Sequence, residues 1–469
     1  MRVARRQLHA RIAETLETHS PEITESQPEL LAQHYAEAGV VEKSVTYWGK
    51  AGRRSVARSA MTEAVAQFQK GLDQLKLLPE NPERQRHELE LLSALGAALR
   101  FVKGQAAPEM GHAYARAREL WEQLGSPSEF LQVPYGQSIY HSYRGEFDLA
   151  QRLEADLLRL SRQRNDDAGL ILGHVSSGRT QMLTGRFVSS RSHFGAVAAL
   201  YDPTSHHPLV DQAGIYPHVN SQAFMGIVML CLGHPDRAYA QSSAAVAEAR
   251  RLAHPPSLAM SLDFGARLLT LVGDEATLDE LGGQLIEVAT EQRFLLWRAM
   301  GTIYRGWIRV KNGDLPDGIP LLRSGSDAYR ATGAEAWVPD NIALLAKACQ
   351  IAGQIEEELT LLDEALQIVE RTGERWFEAE LHRHKGQLLL RQGYSEATEE
   401  LYCKALSIAR EQEAKLWELR AATSLARLRR DQGRRAEAHD LLAPVYGWFT
   451  EGFDTPDLKN AKALLDEIA

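Results

Sequence analysis

At 469 residues the chain is longer than a single hydrophobic core can serve, so it is either several domains or a quasi-one-dimensional array. Hydrophobic residues at 44% and charged residues at 25% exclude a disordered chain, and a net charge of −9 argues against a dedicated nucleic-acid binder. Cys231, Cys349 and Cys403 stand far apart without paired spacing, which excludes a cysteine-based zinc framework and points to a reducing compartment.

The first segment, residues 1–27, reads as an N-terminal helix and linker. Met1-Arg2-Val3-Ala4-Arg5-Arg6 runs into polar helix rather than a signal-peptide core. No apolar run in the chain approaches the ~18 residues of a membrane span. A cytoplasmic protein without a membrane partner is expected. The basic clusters Arg5-Arg6, Arg53-Arg54, Arg429-Arg430 and Arg434-Arg435 lie near acidic residues or helix ends and read as solvated faces, so no nucleic-acid partner is expected.

Residues 28–449 carry a repeat. Glycines follow each apolar stretch at Gly104, Gly145, Gly185, Gly233, Gly273, Gly313, Gly353, Gly393 and Gly433. The first steps are 41, 40 and 48 residues, and from Gly233 every step is 40. A fixed period in this range means stacked supersecondary units. Seven residues before the glycines from Gly145 onward stand Ser138, Gly178, Gly226, Ala266, Gly306, Ala346, Gly386 and Ala426. All are small, as close helix packing requires. A third column, Trp297, Trp337, Phe377 and Trp417, reads as core. Each unit is therefore helix A, a glycine turn, helix B and a linker. Helical spacing in B is plain at Leu359, Leu362, Ala365, Leu366 and Val369.

The 48-residue step marks an insertion, 201–216 with its flank to His218. It holds His206, His207, Asp211, Tyr216 and His218, all candidates for contact with a ligand or partner. Histidine and aspartate are metal-ligand types. No His pair at i and i+4 accompanies them, however, and the prolines account for an extended linker, so no metal is expected. His382 and His384, two apart on a helix, point to different faces and read as surface. The three cysteines read as small buried hydrophobes.

Catalytic motifs are missing from the sequence. Gly136-Gln137-Ser138-Ile139-Tyr140 lacks the second glycine of a nucleophile elbow, and Gly49-Lys50-Ala51 lacks the hydroxyl of a phosphate-binding loop. No enzymatic activity and no cofactor are expected. The last segment, 450–469, is an amphipathic capping helix with Leu458, Ala461, Leu464, Leu465 and Ile468, opened by Thr455-Pro456.

The pattern of a small residue, glycine seven later and alanine five after that, as in Ser138-Gly145-Ala150 and Ala426-Gly433-Ala438, resembles the tetratricopeptide repeat. The unit here is 40 residues rather than 34, and Leu278, Gly318, Glu358 and Thr398 replace the second-helix alanine. The resemblance implies an all-α, right-handed superhelical solenoid of antiparallel helix pairs, roughly ten or eleven of them. Units of this length also resemble the sensor superhelix of the bacterial maltose regulator. A closer likeness rests on four segments: Arg6 to Ala13, Thr372-Gly373-Glu374-Arg375-Trp376, Trp417 to Ala422, and Pro444 to Thr455. These resemble the C-terminal helical half of bacterial proteins joining a class III nucleotide cyclase, a signal-transduction AAA-type ATPase and a repeat sensor.

The resemblance implies a non-catalytic scaffold that holds a protein or peptide in a concave groove lined by A helices, with the ATPase or cyclase module as a possible partner. Arg298, Arg305, Arg309, Asn341 and His384 are the groove candidates. A small-molecule effector receptor is the alternative, and an enzyme built on the Pro203–His218 insert is the remote one.

Overall fold

Each repeat closes because its A helix ends on a residue that can turn left-handed. At Gly313 the φ is +87°, and the next two amides cap the helix, Gly313 N donating to Val310 O at 3.0 Å and Asp314 N to Arg309 O at 2.9 Å. The computed structural model describes residues 2–469, which are 81% helical, with 25 α-helices and no strand among the described residues. None of these helices is long and apolar enough to cross a membrane.

The chain opens with α1 (Arg2–His19), α2 (Pro21–Ser26) and α3 (Pro28–Ala38). Ala13 of α1 is buried with Leu31, Ala32 and Tyr35 of α3, so these two helices make the first pair. Pairs then follow as α4 (Val41–Ala57) with α5 (Met61–Leu75), α6 (Pro82–Val102) with α7 (Pro108–Gln123), and α8 (Gln132–Tyr143) with α9 (Phe147–Arg164). Next come α10 (Asp167–Leu183) with α11 (Phe187–Leu200), the insert helix α12 (Leu209–Ala213), and α13 (Pro217–Cys231) with α14 (Pro235–Arg251). The 40-residue region supplies α15 (Pro255–Val272) with α16 (Glu275–Glu291), α17 (Leu295–Lys311) with α18 (Leu315–Arg330), and α19 (Val338–Ile351) with α20 (Ile355–Thr372). The array ends in α21 (Glu378–Arg391) with α22 (Ser395–Glu411), α23 (Lys415–Asp431) with α24 (Arg435–Gly447), and the cap α25 (Pro456–Ile468). This is a tetratricopeptide-type solenoid.

The small-residue column lies where A and B helices touch. A Cβ on Gly306 would sit 2.7 Å from Leu322 N and 2.9 Å from Gly318 O, which is backbone against backbone. Gly318 replaces the usual alanine for the same reason, since its own Cβ would meet Val310 N at 2.8 Å. At Gly386 the neighbour is the Tyr402 ring, 2.6 Å away. Trp297, Trp337, Phe377 and Trp417 are all buried.

The solenoid is wound tightly enough to stack on itself. The A–B turns of the early pairs rest on the linkers between pairs four to six further along the chain. Tyr143 O accepts from Glu335 N (2.8 Å) and Ala336 N (3.1 Å), and Leu183 O accepts from Arg375 N (2.8 Å) and Trp376 N (3.1 Å). Further along this seam Trp448 and Phe449 cover Gly233, while Gly452 N donates to Asp236 Oδ2 at 3.3 Å. Three of the four segments behind the cyclase–ATPase resemblance, those at Thr372–Trp376, Trp417–Ala422 and Pro444–Thr455, therefore contribute to the seam.

Candidate ligand and partner sites

Tight winding brings the inner faces of the A helices together, and polar residues meet there out of water. Arg267 pairs with Asp340 and lies 4.4 Å over the Trp337 ring. Tyr304 Oη donates to Asp263 Oδ1 at 2.7 Å. Glu380 is 1% exposed and accepts from Arg383 (2.7 Å) and Arg420 (3.0 Å). Burial pushes the Glu380 carboxyl up, but those two guanidiniums hold it well below the usual carboxylate range. Arg420 also donates to Leu271 O and to Asp457, tying α23 to both α15 and the cap. Each of the charges named so far has a protein partner, as buried ions require.

Glu374 has a distinct role in this core. Trp337 caps α19 at φ +70°, a strained conformation for a bulky residue. Its amide donates to the Glu374 carboxyl at 3.0 Å, and Trp376 Nε1 donates to the same group at 3.0 Å. Burial pushes the Glu374 carboxyl up to about 8, so the neutral acid is the favoured form at neutral pH.

Two of the groove candidates fall in this interior. Asn341 is 2% exposed with Nδ2 3.6 Å from Met300 Sδ, and His384 is 5% exposed with Nε2 3.1 Å from Glu380 Oε1. The surface reading of His382 and His384 is corrected. Both are buried, because α21 is covered by neighbouring helices, and burial lowers them to about 4 and about 3. Arg298, Arg305 and Arg309 instead form an exposed stripe on α17. Arg305 lines a cleft of about 360 Å³ with Asp279 and Glu287 of α16, and Arg309 pairs with Asp314 at 2.7 Å. The five candidates thus do not share one surface. Among the cysteines, Cys231 and Cys349 are buried, whereas Cys403 is exposed on α22, a correction to its reading as core.

The insert is not simply extended, because residues 209–213 form α12, whose buried Leu209 and Ala213 give it an apolar face. Its histidines anchor it. His206 Nδ1 accepts from Asp202 N at 3.0 Å, and His207 Nε2 hydrogen-bonds with Tyr216 Oη at 3.0 Å. His218 stacks on Tyr201 with centroids 4.3 Å apart and lies 3.3 Å from Glu248. Tyr216 N donates to Ser257 Oγ at 3.1 Å. Among the described residues no three His, Cys, Asp or Glu side chains converge to hold a metal ion.

So anchored, the insert reaches back across the solenoid to α6. Arg100 Nη1 donates to Ala213 O at 2.8 Å, and Gly214 (φ +70°) lies so close to Phe101 that a Cβ there would be 2.8 Å from the ring. Between α4, α6, the start of α8 and α12 a cavity of about 320 Å³ remains. Met61, Phe68, Ala94, Ala98, Phe101 and Phe130 make its apolar wall. Arg53, Glu90, Gln132, Asp211 and Gln212 also line it. Gln132 Oε1 and Gln212 Oε1 are buried with no hydrogen-bond partner among the described residues. Asp211, already singled out in the sequence, is therefore joined by residues that sequence reasoning did not find. Gln212, beside it in the insert, was within reach. Arg53, Glu90 and Gln132 are ordinary polar residues of other pairs, and only the inward fold of the insert assembles them.

With this architecture established as a helix-pair solenoid of tetratricopeptide type, its likenesses can be placed. No model of a known protein family matches the chain. An uncharacterized protein of Rhizobium meliloti (strain 1021) is 26% identical over 404 residues, covering 85% of this chain and 39% of the relative. The chain therefore spans about two fifths of that relative's length. Among solved structures, a Rap protein complexed with competence and sporulation factor aligns with TM-score 0.55 at 12% identity, over 79% of this chain and 99% of that one. The apo form of the quorum sensor NprR from B. thuringiensis aligns over 77% of this chain and 98% of that one, at 14% identity and TM-score 0.43.

Proposed function

We propose that this chain is a non-catalytic sensor and partner-binding scaffold in a bacterial signalling system of the ATPase–cyclase kind, working in the cytoplasm. The observation that carries this reading is the proportion of the Rhizobium relative. Most of the chain aligns with a minor share of a much longer protein, which leaves room there for modules of the kind that the four-segment resemblance implies. The partner proposed is an AAA-type ATPase or cyclase module. The exposed Arg298–Arg305–Arg309 stripe is the surface to test first, because guanidinium forks pair with carboxylates and stack on aromatics.

The test is titration calorimetry between this chain and an isolated AAA-type ATPase module, with a class III cyclase module titrated in parallel. Replacing the three arginines together by glutamate should weaken binding at least about ten-fold. Absence of binding to either the ATPase or the cyclase module would overturn the reading. ATP turnover by the purified chain that follows the protein through every column would overturn the non-catalytic part. A second reading, a receptor for a small effector, is favoured by one observation, the cavity beneath the insert with its two unpartnered carboxamide oxygens.

A further inference from the structure

We infer that the cavity beneath α12 binds a small primary amine with an apolar or aromatic body, its ammonium group held by Asp211, Gln132 and Gln212. This rests on the second reading above and is independent of the first. The volume of about 320 Å³ is at the lower end of small-molecule sites, enough for one ring and a short arm but not for a folded peptide segment. Phe68, Phe101 and Phe130 provide aromatic walls for the body.

The head group follows from what the polar lining lacks. Buried polar atoms are nearly always hydrogen-bonded, so two unpartnered carbonyl-type oxygens on one cavity call for donors. Asp211 adds a carboxylate that has no ion-pair partner among the described residues. Glu90, the other acid, is already engaged by His87 3.8 Å away, with Arg53 and Arg86 nearby. Counting Arg53 against Glu90, the lining keeps one negative charge, at Asp211, beside the two unpartnered oxygens. An ammonium group supplies three donors and the opposite charge, and the reverse holds for a carboxylate ligand, which would face Asp211. The position also fits a sensor, because the insert that roofs the cavity is the feature that interrupts the repeat.

The experiment is ligand-observed NMR titration of the full chain near neutral pH with three probes that share a phenylethyl body: 2-phenylethylamine, 2-phenylethanol and 3-phenylpropionate. The amine is expected to bind with a dissociation constant on the order of 1 mM or tighter, and about ten-fold more tightly than either other probe. Asp211→Asn and Gln212→Leu should each weaken it about ten-fold, and Ala94→Trp, which fills the cavity, should abolish it. Should Ala94→Trp lower the melting temperature, Asp211→Asn decides the matter, because Asp211 is exposed on a short helix and its isosteric amide leaves the fold intact. Preference for the carboxylate probe, equal binding of all three probes, or amine binding indifferent to Asp211→Asn overturns the proposal. Binding of the amine alongside failure to bind any ATPase or cyclase module would sink the first reading while leaving this one standing.

Discussion

Gly145 and Gly353 end A helices at nearly the same backbone angle, φ +71° and +73°, yet their surroundings differ completely. A Cβ on Gly145 would meet Thr372 Cγ2 at 2.7 Å, while one on Gly353 would meet nothing within 4 Å among the described residues. The same contrast divides the whole set. Gly104, Gly145, Gly185 and Gly233 are covered by the following superhelical turn, Gly273 only touches Pro456 at 3.9 Å, and Gly313, Gly353, Gly393 and Gly433 are not covered. In a simple repeat array each unit touches only its neighbours. Here the first turn of the solenoid also carries a second, long-range interface, so one edge of the molecule is core and the equivalent edge a turn later is surface.

That division is written in a column that a period search alone does not use. Two residues before the turn glycines stand Val102, Tyr143, Leu183, Cys231 and Leu271, then Lys311, Ile351, Arg391 and Asp431. The switch from apolar to mostly polar marks where stacking ends. The repeat and its helix pairs were legible because local spacing dictates them. The seam was not, because it depends on how many pairs complete a superhelical turn, a sum of small rotations that no single repeat reveals. For the same reason His384 and Asn341, polar residues on an A helix, read as groove lining until the winding buries them. The cavity was half legible: the insert and Asp211 stood out, and their partners on α4, α6 and α8 did not.

The largest expected effect comes from placing a charge on each edge. Leu183 is 0% exposed and its carbonyl receives two seam amides, whereas Ile351 is 49% exposed. Leu183→Arg should cost about 4 kcal/mol or more by burying an unpaired charge. Ile351→Arg should stay within about 0.5 kcal/mol. Hydrogen exchange at the Glu335, Ala336, Arg375 and Trp376 amides reports the difference directly, since those protons are protected by the seam. Equal protection in both variants would mean that the two edges are not distinct.

Next in size is the titration of Glu374. Its folded carboxyl lies near 8 against an ordinary 4.5, so the native state binds the proton more tightly than the unfolded chain. Stability from this group is therefore fully present below about pH 4.5 and declines as pH rises towards 8. Glu374→Gln keeps an acceptor for the Trp337 and Trp376 donors and cannot ionise. The melting temperature of the native chain should fall relative to this variant across that window. Parallel pH profiles for the two proteins would show that Glu374 does not titrate in the fold.

The glycine pair gives a smaller and cleaner comparison. Gly353→Ala should cost about 1–2 kcal/mol, the strain of a side chain in a left-handed conformation. Gly145→Ala carries the same strain plus overpacking against Thr372, about 1–3 kcal/mol more. Combining it with Thr372→Ala should recover part of the excess, because that removes the Cγ2 atom nearest the new methyl. Thermal melts of the four variants close the cycle.

The smallest effect is expected at the one seam feature that a surface view would rank first. Arg371 pairs with Glu335 at 2.5 Å on the rim, and Glu335 is the residue whose amide donates to Tyr143 O. Both side chains are substantially exposed, 59% and 38%, so water and salt screen the attraction and ordering two long side chains offsets much of it. Arg371→Ala should therefore change stability by less than about 1 kcal/mol, with no further change when salt is raised. The backbone bonds beneath it do not depend on the pair. They are positioned by Trp337, Trp376 and the buried Glu374, and so should the protection of the Glu335 amide be. If that amide instead exchanged as fast in Arg371→Ala as in Leu183→Arg, the seam would be held by its rim charges rather than its buried groups, and the contrast between the two edges would be one of electrostatics rather than packing.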